Sequence, residues 1–353
     1  MPKFLTCRLC CFIYDLKIAL DGYWPIAVSR AEGRQAAKIE RLSHCFHVTP
    51  QVTSESMGDA ISAMGGEMAT VLTVMNMKGG VGKTTVACHL AGLAAREPLG
   101  RGHASRVLLI DYDPQFNASQ MYLDSKLYFK LEKDYKTTLS ILIDQSTEVD
   151  PFSLQDMGFF PPPNVSSIAH NVFGGGKNVL DIVPSTLNLM FVALGQPGRS
   201  LPLMKERFAS FISQARSAYD LIILDCHPAG SVFTQTSLGV SDHVLIPVKP
   251  ENFAVRGLGL MRRFVDGRGP MEPKVKSHIL FNMTGPTRSS EENTIRLDPK
   301  YGPLCLKNTL RKRSHYQKAN QGRDFVWDRS VAYQRAAMDN LRRVGTELLG
   351  RIM

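Results

Sequence analysis

The chain has 353 residues and 44% hydrophobic content, enough to bury a full core, and no run approaches the roughly 20 uninterrupted apolar residues of a membrane span. Its formal net charge of +10 favours an anionic partner. Its seven cysteines are scattered and include one isolated Cys-x-x-Cys pair, which argues against a disulfide framework and favours a reduced, cytoplasmic protein.

The first 67 residues do not share the pattern that follows them. Residues 4–20 mix apolar residues with cysteines and have no clear signal-peptide cleavage site, and residues 54–66 are small and polar, as in a linker. Met68 begins the regular pattern. We therefore expect residues 1–67 to be a poorly ordered extension or a misread start, and residues 68–353 to form the functional domain.

The most informative segment is a glycine-rich loop between a predicted strand at 71–76 and a predicted helix at 83–96. Strand, glycine loop, Lys-Thr and helix are the layout of a phosphate-binding P-loop, whose backbone amides surround a phosphate beside the positive helix end. Lys83 is expected to reach the outer phosphates, and the Thr84 hydroxyl to hold Mg²⁺. The predicted nucleotide site comprises Lys78, Gly79, Gly80, Val81, Gly82, Lys83, Thr84 and Thr85.

Two later strands end in carboxylates. Residues 106–111 are an apolar run that leads into Asp111 and Asp113, and residues 221–225 are an apolar run that ends in Asp225. Such runs fit parallel strands covered on both faces, whose carboxyl ends carry the ligand sites of open α/β sheets. The second run has the form of a Walker B strand, so Asp225 is expected to reach Mg²⁺ alongside Thr84. The alternatives are that Asp111 and Asp113 merely begin a turn, and that Asp225 is an acid of the kind with which any buried strand can end.

The remaining segments alternate between strand-like and helix-like patterns. Further strands are predicted at 179–183, 243–248 and 277–283, and further helices at 117–130, 186–194, 201–218, 251–265 and 329–351. This alternation predicts an α/β fold with a doubly wound, mostly parallel sheet and helices on both faces. Residues 145–178 are rich in Pro, Gly and Asn and are predicted to be a long loop or insertion.

The positive charge is concentrated near the C-terminus. Residues 260–353 carry 19 Lys and Arg against 9 Asp and Glu, whereas the rest of the chain is balanced. A basic region suits sequence-independent binding to a phosphate backbone, and a solvated basic face is the alternative. The final segment, 340–353, has an apolar helical stripe that either packs on the domain or lies on a membrane.

Residues 78–85 read Lys-Gly-Gly-Val-Gly-Lys-Thr-Thr, with Met77 where the plain P-loop pattern has glycine and with Lys78 as a second lysine. This form resembles the deviant Walker A motif of the ParA/MinD family of ATPases. Residues 111–115, Asp-Tyr-Asp-Pro-Gln, and 242–250 resemble two further stretches of that family, most closely its ParA-type partition members. The resemblance covers residues 68–353.

The resemblance implies a slow, Mg²⁺-dependent ATP hydrolase with a P-loop NTPase fold. Asp113 would position or activate the attacking water, and Asp111 would support the magnesium shell. Asn282, after the late strand, is the candidate adenine contact, although an ordinary strand-end Asn fits nearly as well. Lys78 would reach the nucleotide of a partner subunit, so that the ATP state is a homodimer.

The resemblance also implies partners. The dimer would bind DNA non-specifically and associate with the nucleoid, and a centromere-binding, ParB-like protein would stimulate hydrolysis during segregation of a plasmid or chromosome region. Candidate DNA contacts are Arg256, Arg262, Arg263, Arg288, Arg311, Lys312 and Arg313.

Two other functions remain open at this stage. A MinD-like positioning ATPase would share the chemistry but place the C-terminal helix on lipid. An iron–sulfur reductase would need suitably placed cysteines, for which Cys88 and Cys226 are poor candidates.

Overall fold

The computed structural model describes residues 68–97, 105–145, 147, 160–176, 178–194, 200–227, 232–267, 274–328 and 334–353. The predicted extension 1–67 and part of the predicted loop 145–178 therefore lie outside the described residues. The strands are β1 (Thr70–Val74), β2 (Arg106–Tyr112), β3 (His170–Gly175), β4 (Asn178–Val183), β5 (Leu221–Cys226), β6 (His243–Val248) and β7 (Lys276–Phe281). The helices are α1 (Lys83–Arg96), α2 (Asn117–Tyr122), α3 (Ser125–Lys133), α4 (Leu139–Leu142), α5 (Val165–Ile168), α6 (Leu189–Leu194), α7 (Ser200–Arg216), α8 (Val232–Val240), α9 (Ala254–Asp266), α10 (Ser290–Leu297) and α11 (Gln334–Ile352).

These strands form one sheet in the order β3-β4-β2-β5-β1-β6-β7. All neighbouring pairs are parallel except the β3–β4 pair, so the predicted mostly parallel sheet is confirmed. The chain crosses from β1 to β2 on one side and later from β5 to β6 on the other. The order therefore reverses at the carboxyl end of β1, which is the position where open α/β sheets bind ligands.

Alternate residues of each central strand face two separate cores. Val71 and Leu108 pack with the helices α7, α8 and α9, whereas Leu72 and Leu109 pack with α1 and α11. Because successive side chains of a strand point to opposite faces, a strand buried on both faces must be apolar throughout. Helices on both faces of the sheet are therefore confirmed.

Several predicted boundaries are wrong for local reasons. The helix predicted at 117–130 is broken at Asp124, whose side chain accepts a hydrogen bond from Leu127 N at 3.0 Å and caps α3 instead. The predicted loop 145–178 contains α5 and β3 in its described part, and β3 is an antiparallel edge strand. Helices α8 and α10 lie outside the predicted helical segments.

The C-terminal helix packs on the domain, as one of the two predictions for it required. The side chains of Leu341, Val344 and Leu348 are fully buried, and Gly345 lies against Leu93 of α1. The apolar stripe is thus covered by protein. Among the described residues, no helix combines the length and apolar composition needed to cross a bilayer.

Two buried histidines make the fold sensitive to acid. Burial lowers the pKa of both His89 and His278 from 6.5 to about 4, and for His278 the neighbouring charges of His243, Arg351 and Lys276 add to the effect. The unfolded chain therefore binds more protons than the folded chain between these two values. The stability that depends on these two neutral histidines is fully present above pH 6.5 and falls as the pH is lowered toward 4.

We expect each of these histidines to contribute a decrease of about 2 kcal/mol to the free energy of unfolding between pH 7 and pH 4.5. Because the raised pKa of the buried Asp225 acts in the opposite direction, the contribution is read from the difference between the parent protein and a histidine variant. Urea denaturation at the two pH values measures the change. The His278→Asn variant should show a smaller decrease, whereas His315→Asn, at a half-exposed position, should behave as the parent protein. An equal decrease in all three proteins would contradict this explanation.

Candidate functional site

The P-loop has a backbone shape that requires glycine at Gly82. Its φ is 82°, and a Cβ atom there would lie 2.5 Å from Nδ2 of Asn282. Asn282 Nδ2 donates to Val81 O at 2.8 Å, and its Oδ1 accepts from Met283 N at 2.9 Å. The end of β7 therefore supports the loop through Asn282. Its predicted contact with adenine remains a prediction, since both polar ends of the amide already bond within the chain.

Lys83 begins α1 with its side chain buried under the loop. Burial lowers the pKa of its ammonium group, and the carboxylates of Asp225 and Asp113 oppose that shift. The cation thus faces two acids at the carboxyl ends of β5 and β2. A phosphate group bound in the loop would meet this ammonium group and the amino end of α1 together.

The residues beside Lys83 fit a magnesium ion. Asp225 is buried, and burial raises the pKa of its carboxyl group to about 7. A hydrogen bond from the Thr84 hydroxyl group acts in the opposite direction and lowers this pKa. Its Oδ2 atom has no hydrogen-bond partner among the described residues. Mg²⁺ prefers one or two protein oxygens together with phosphates and water. A hydroxyl and a buried carboxylate with a free oxygen satisfy that preference.

Asp111 and Asp113 belong to one buried hydrogen-bond network. Asp111 Oδ2 accepts from both the backbone N and the Oγ of Ser119, at 2.8 and 2.7 Å. Ser185 N donates to Ser119 Oγ at 2.9 Å, and Ser185 Oγ donates to the Asp113 carbonyl at 2.6 Å. The carboxylate of Asp113 accepts from Gln115 N at 2.9 Å. Asp111 therefore orients the turn that carries Asp113, and its predicted part in the magnesium shell remains a prediction.

The Lys78 side chain forms an ion pair with an acid from a distant segment of the chain. Its ammonium group bonds to Glu251 Oε1 at 2.5 Å, and Lys249 bonds to the other oxygen of Glu251 at 2.6 Å. These two ammonium groups lower the pKa of the Glu251 carboxyl to about 2. Asn76 fixes the entry to the loop, because its Oδ1 accepts from Lys78 N and its Nδ2 donates to Pro247 O. The two lysines of the motif thus occupy different environments.

A basic cleft of about 350 Å³ lies beyond the end of β7. Two predicted DNA contacts, Arg288 and Arg311, line it together with Lys307 and Arg343, which the sequence did not single out. Among these four side chains, and within the described part of the chain, Arg288 forms a long ion pair, with its Nε 3.6 Å from Glu292 Oε1. The other predicted contacts do not line this cleft: Arg256, Arg262 and Arg263 lie on α9, and Lys312 and Arg313 follow Arg311.

Helix α11 holds the loop of the basic cleft in place. Asn340 accepts from Arg311 N at 2.9 Å and donates to Thr309 O at 2.8 Å. Glu347 accepts from Lys307 N at 2.6 Å and from Asn308 N at 2.8 Å. The C-terminal helix is therefore part of the basic site.

Cys88 and Cys226, the two cysteines weighed as cluster ligands, do not lie at the surface. Cys88 and Cys226 are fully buried, and burial raises the pKa of both thiols. A cluster shared between subunits needs ligands at the surface. The described residues therefore give no support to the iron–sulfur alternative.

Comparisons with known proteins agree with this geometry. The profile of a family described as AAA domain matches residues 69–268. The chain is 32% identical over 208 residues to an uncharacterized protein of Methanocaldococcus jannaschii, covering 58% of this chain and 70% of that protein. It is 30% identical over 209 residues to the chromosome partitioning protein ParA of Caulobacter vibrioides, covering 58% of this chain and 66% of that protein.

Two solved structures share the fold. A plasmid partition protein from Borrelia burgdorferi bound to AMPPNP superimposes with a TM-score of 0.56 at 24% identity, over 81% of this chain and 100% of that chain. The pNOB8 ParA bound to nonspecific DNA superimposes with a TM-score of 0.52 at 19% identity, over 81% of this chain and 99% of that chain. At these identities the likeness establishes the architecture of the domain.

Proposed function

Because the chain belongs to the ParA-type family of P-loop ATPases, we propose that it is an ATP-dependent switch that dimerises, binds DNA non-specifically and segregates a plasmid or chromosome region. The position of Lys78 is the observation that carries this proposal. Its ammonium group lies at the surface on Glu251 while Lys83 fills its own loop. We propose that Lys83 serves the nucleotide of its own subunit and that Lys78 serves that of a second subunit.

The chemistry follows from the residues around the loop. Lys83 and the loop amides would neutralise a bound triphosphate. Thr84 and Asp225 would hold Mg²⁺, which would supply further positive charge to the phosphate oxygens. Asp113 lies on a turn fixed by Ser119 and Ser185, so its carboxylate can orient an attacking water. Loss of the γ-phosphate removes the charge that attracts the second Lys78. The dimer is therefore stable only before hydrolysis.

The basic cleft supplies the proposed DNA contact. It collects four cationic side chains around a polar hollow, and such an arrangement suits phosphate oxygens. Because a dimer presents two such clefts, the ATP state doubles the number of phosphate contacts. The buried stripe of α11 removes the surface that a MinD-like role on lipid would need, so DNA is the favoured partner.

The activator and the cargo are proposed from the relatives. The Caulobacter relative is named a chromosome partitioning protein, and the Borrelia structure is that of a plasmid partition protein. We propose that a centromere-bound, ParB-like protein stimulates hydrolysis here and that the ATP-bound dimer resides on the nucleoid.

Fluorescence anisotropy with a random-sequence DNA duplex tests this function. We expect binding with a non-hydrolysable ATP analogue and much weaker binding with ADP, and a steep decrease in affinity with salt. Equal affinity in both nucleotide states would contradict a switch.

The Arg343→Ala variant should weaken DNA binding and reduce the slope of log affinity against log salt by about 1, as expected for one lost phosphate contact. Nucleotide affinity should not change, because Arg343 lies outside the nucleotide site. Arg335→Ala is the matched control, since Arg335 lies on the same helix but lines a different hollow. An identical salt slope for both variants would remove Arg343 from the interface.

A further inference from the structure

The loop that carries Glu251 continues into an exposed aromatic residue. Phe253 is 72% exposed, although phenylalanine is normally buried, and it stands two residues after the carboxylate that binds Lys78. Its φ is 68°, a left-handed conformation that non-glycine residues rarely adopt. Val255, two residues further on, is 41% exposed as well, and neighbouring exposed apolar side chains are typical of a surface that meets a partner.

A hollow of about 170 Å³ lies next to this ring. It is formed by residues 251–255 and by Ser290, Glu291 and Thr294 at the start of α10. Cavities of about 150 Å³ can accommodate a benzene ring. The exposed Phe253 ring thus stands at the edge of an open hollow whose volume is large enough for a second phenyl ring.

This pairing is what a two-fold interface requires. In such an interface each subunit presents the same patch, so the patch must contain both the projecting group and the site that receives it. Charge is also complementary: Arg256 lies over the Phe253 ring, 5.6 Å from its centroid, while Glu291 is on the rim of the hollow. A ring that enters the hollow of a second copy would bring its arginine to that glutamate.

We propose that Phe253 of each subunit inserts into the hollow between α9 and α10 of a second copy of this chain, and that it is the apolar anchor of the ATP-bound dimer. The proposal rests on the dimer of the proposed function and identifies the surface that completes it. Lys78 makes dimerisation depend on the nucleotide, and Phe253 supplies buried apolar area. Lys78 and Phe253 belong to one face, because Glu251 contacts the first and precedes the second by two residues.

The dimer dissociation constant tests the proposal, measured by analytical ultracentrifugation of the full chain with a non-hydrolysable ATP analogue. Truncation of a central aromatic anchor typically weakens an interface by at least about 30-fold. Phe253→Ala should therefore weaken the dimer by at least that factor while ATP affinity of the monomer is unchanged. Phe253→Tyr, which keeps the ring, should restore most of the affinity.

Phe129→Ala is the matched control, because Phe129 is 62% exposed on α3, away from this loop. It should dimerise as the parent protein does. If Phe253→Ala and Phe129→Ala both have the dimer dissociation constant of the parent protein, Phe253 is not the anchor of the interface. The proposal of an ATP-dependent dimer is not affected by that result. If the parent protein itself does not dimerise, the proposed function fails first.

Photocrosslinking identifies the occupant of the hollow directly. With benzoylphenylalanine in place of Phe253, irradiation in the presence of the ATP analogue should give a covalent dimer whose crosslink maps to residues 251–255 or 289–294. A crosslink that maps elsewhere, or to another protein alone, would overturn the proposal.

Discussion

The Asp113→Asn variant is expected to bind ATP and dimerise but to hydrolyse ATP at least about 100-fold more slowly than the parent protein, the usual contribution of a general base or water-orienting carboxylate. Asparagine retains an acceptor for the Gln115 amide, which bonds to the Asp113 carboxylate at 2.9 Å. The turn should therefore keep its shape while the negative charge is lost. Because hydrolysis ends the dimeric state, the variant should also remain on DNA longer.

Single-turnover hydrolysis and dissociation from DNA measure the two effects. Asp134→Asn is the control, since this acid lies at the exposed end of α3. A second variant, Ser185→Ala, removes the hydroxyl that bonds to the Asp113 carbonyl and should slow hydrolysis by a smaller factor. Normal turnover in Asp113→Asn would assign the water to another residue.

The Lys78→Ala variant is expected to retain nucleotide binding and to lose dimerisation and DNA binding. Its ammonium group bonds to Glu251 rather than to its own loop, so ATP affinity of the monomer should change little. Dimerisation and DNA binding in the ATP state should be lost, because no charge is inserted at the nucleotide of the second subunit. Isothermal titration with ATP and anisotropy with DNA measure the two properties.

Lys83→Ala is the informative comparison. Loss of its charge-assisted contacts to phosphate, each worth about 1.5–3 kcal/mol, should weaken ATP binding by at least about 100-fold. Lys83→Ala should therefore be defective in ATP binding, whereas Lys78→Ala should bind ATP but be defective in dimerisation. Equal loss of ATP affinity in both variants would show that Lys78 acts on its own nucleotide.

Much of the fold could be predicted because the strands are buried on both faces. All six predicted strands occur at nearly the predicted positions, since continuous apolar runs are a strong signal. The edge strand β3 lacked that signal: its residues are mostly polar or glycine and half-exposed. The start of α9 was also missed, because the left-handed backbone of Phe253 delays the helix to Ala254.

The site was predictable only where its residues are adjacent in sequence. The loop 78–85 and the strand-end acids form recognisable motifs, and the structure places Lys83, Thr84, Asp113 and Asp225 together. The hydrogen bonds and ion pairs that hold these and other site residues in position join segments that are distant in the sequence. Glu251 is 173 residues from Lys78, Ser185 is 72 from Asp113, and Asn340 is 29 from Arg311. No local pattern marks such partners, and for the same reason Lys307 and Arg343 were not identified.

Sedimentation equilibrium of the purified full chain with Mg²⁺ and a non-hydrolysable ATP analogue measures the central claim, that two copies enclose the nucleotide with Lys78 inserted from the opposite copy. At protein concentrations well above micromolar, the parent protein should have twice the mass of one chain, and it should return to the mass of one chain when ADP replaces the analogue. If the parent protein remains monomeric with both nucleotides, the central claim is contradicted, and the chain is a nucleotide-binding protein without a dimerisation switch.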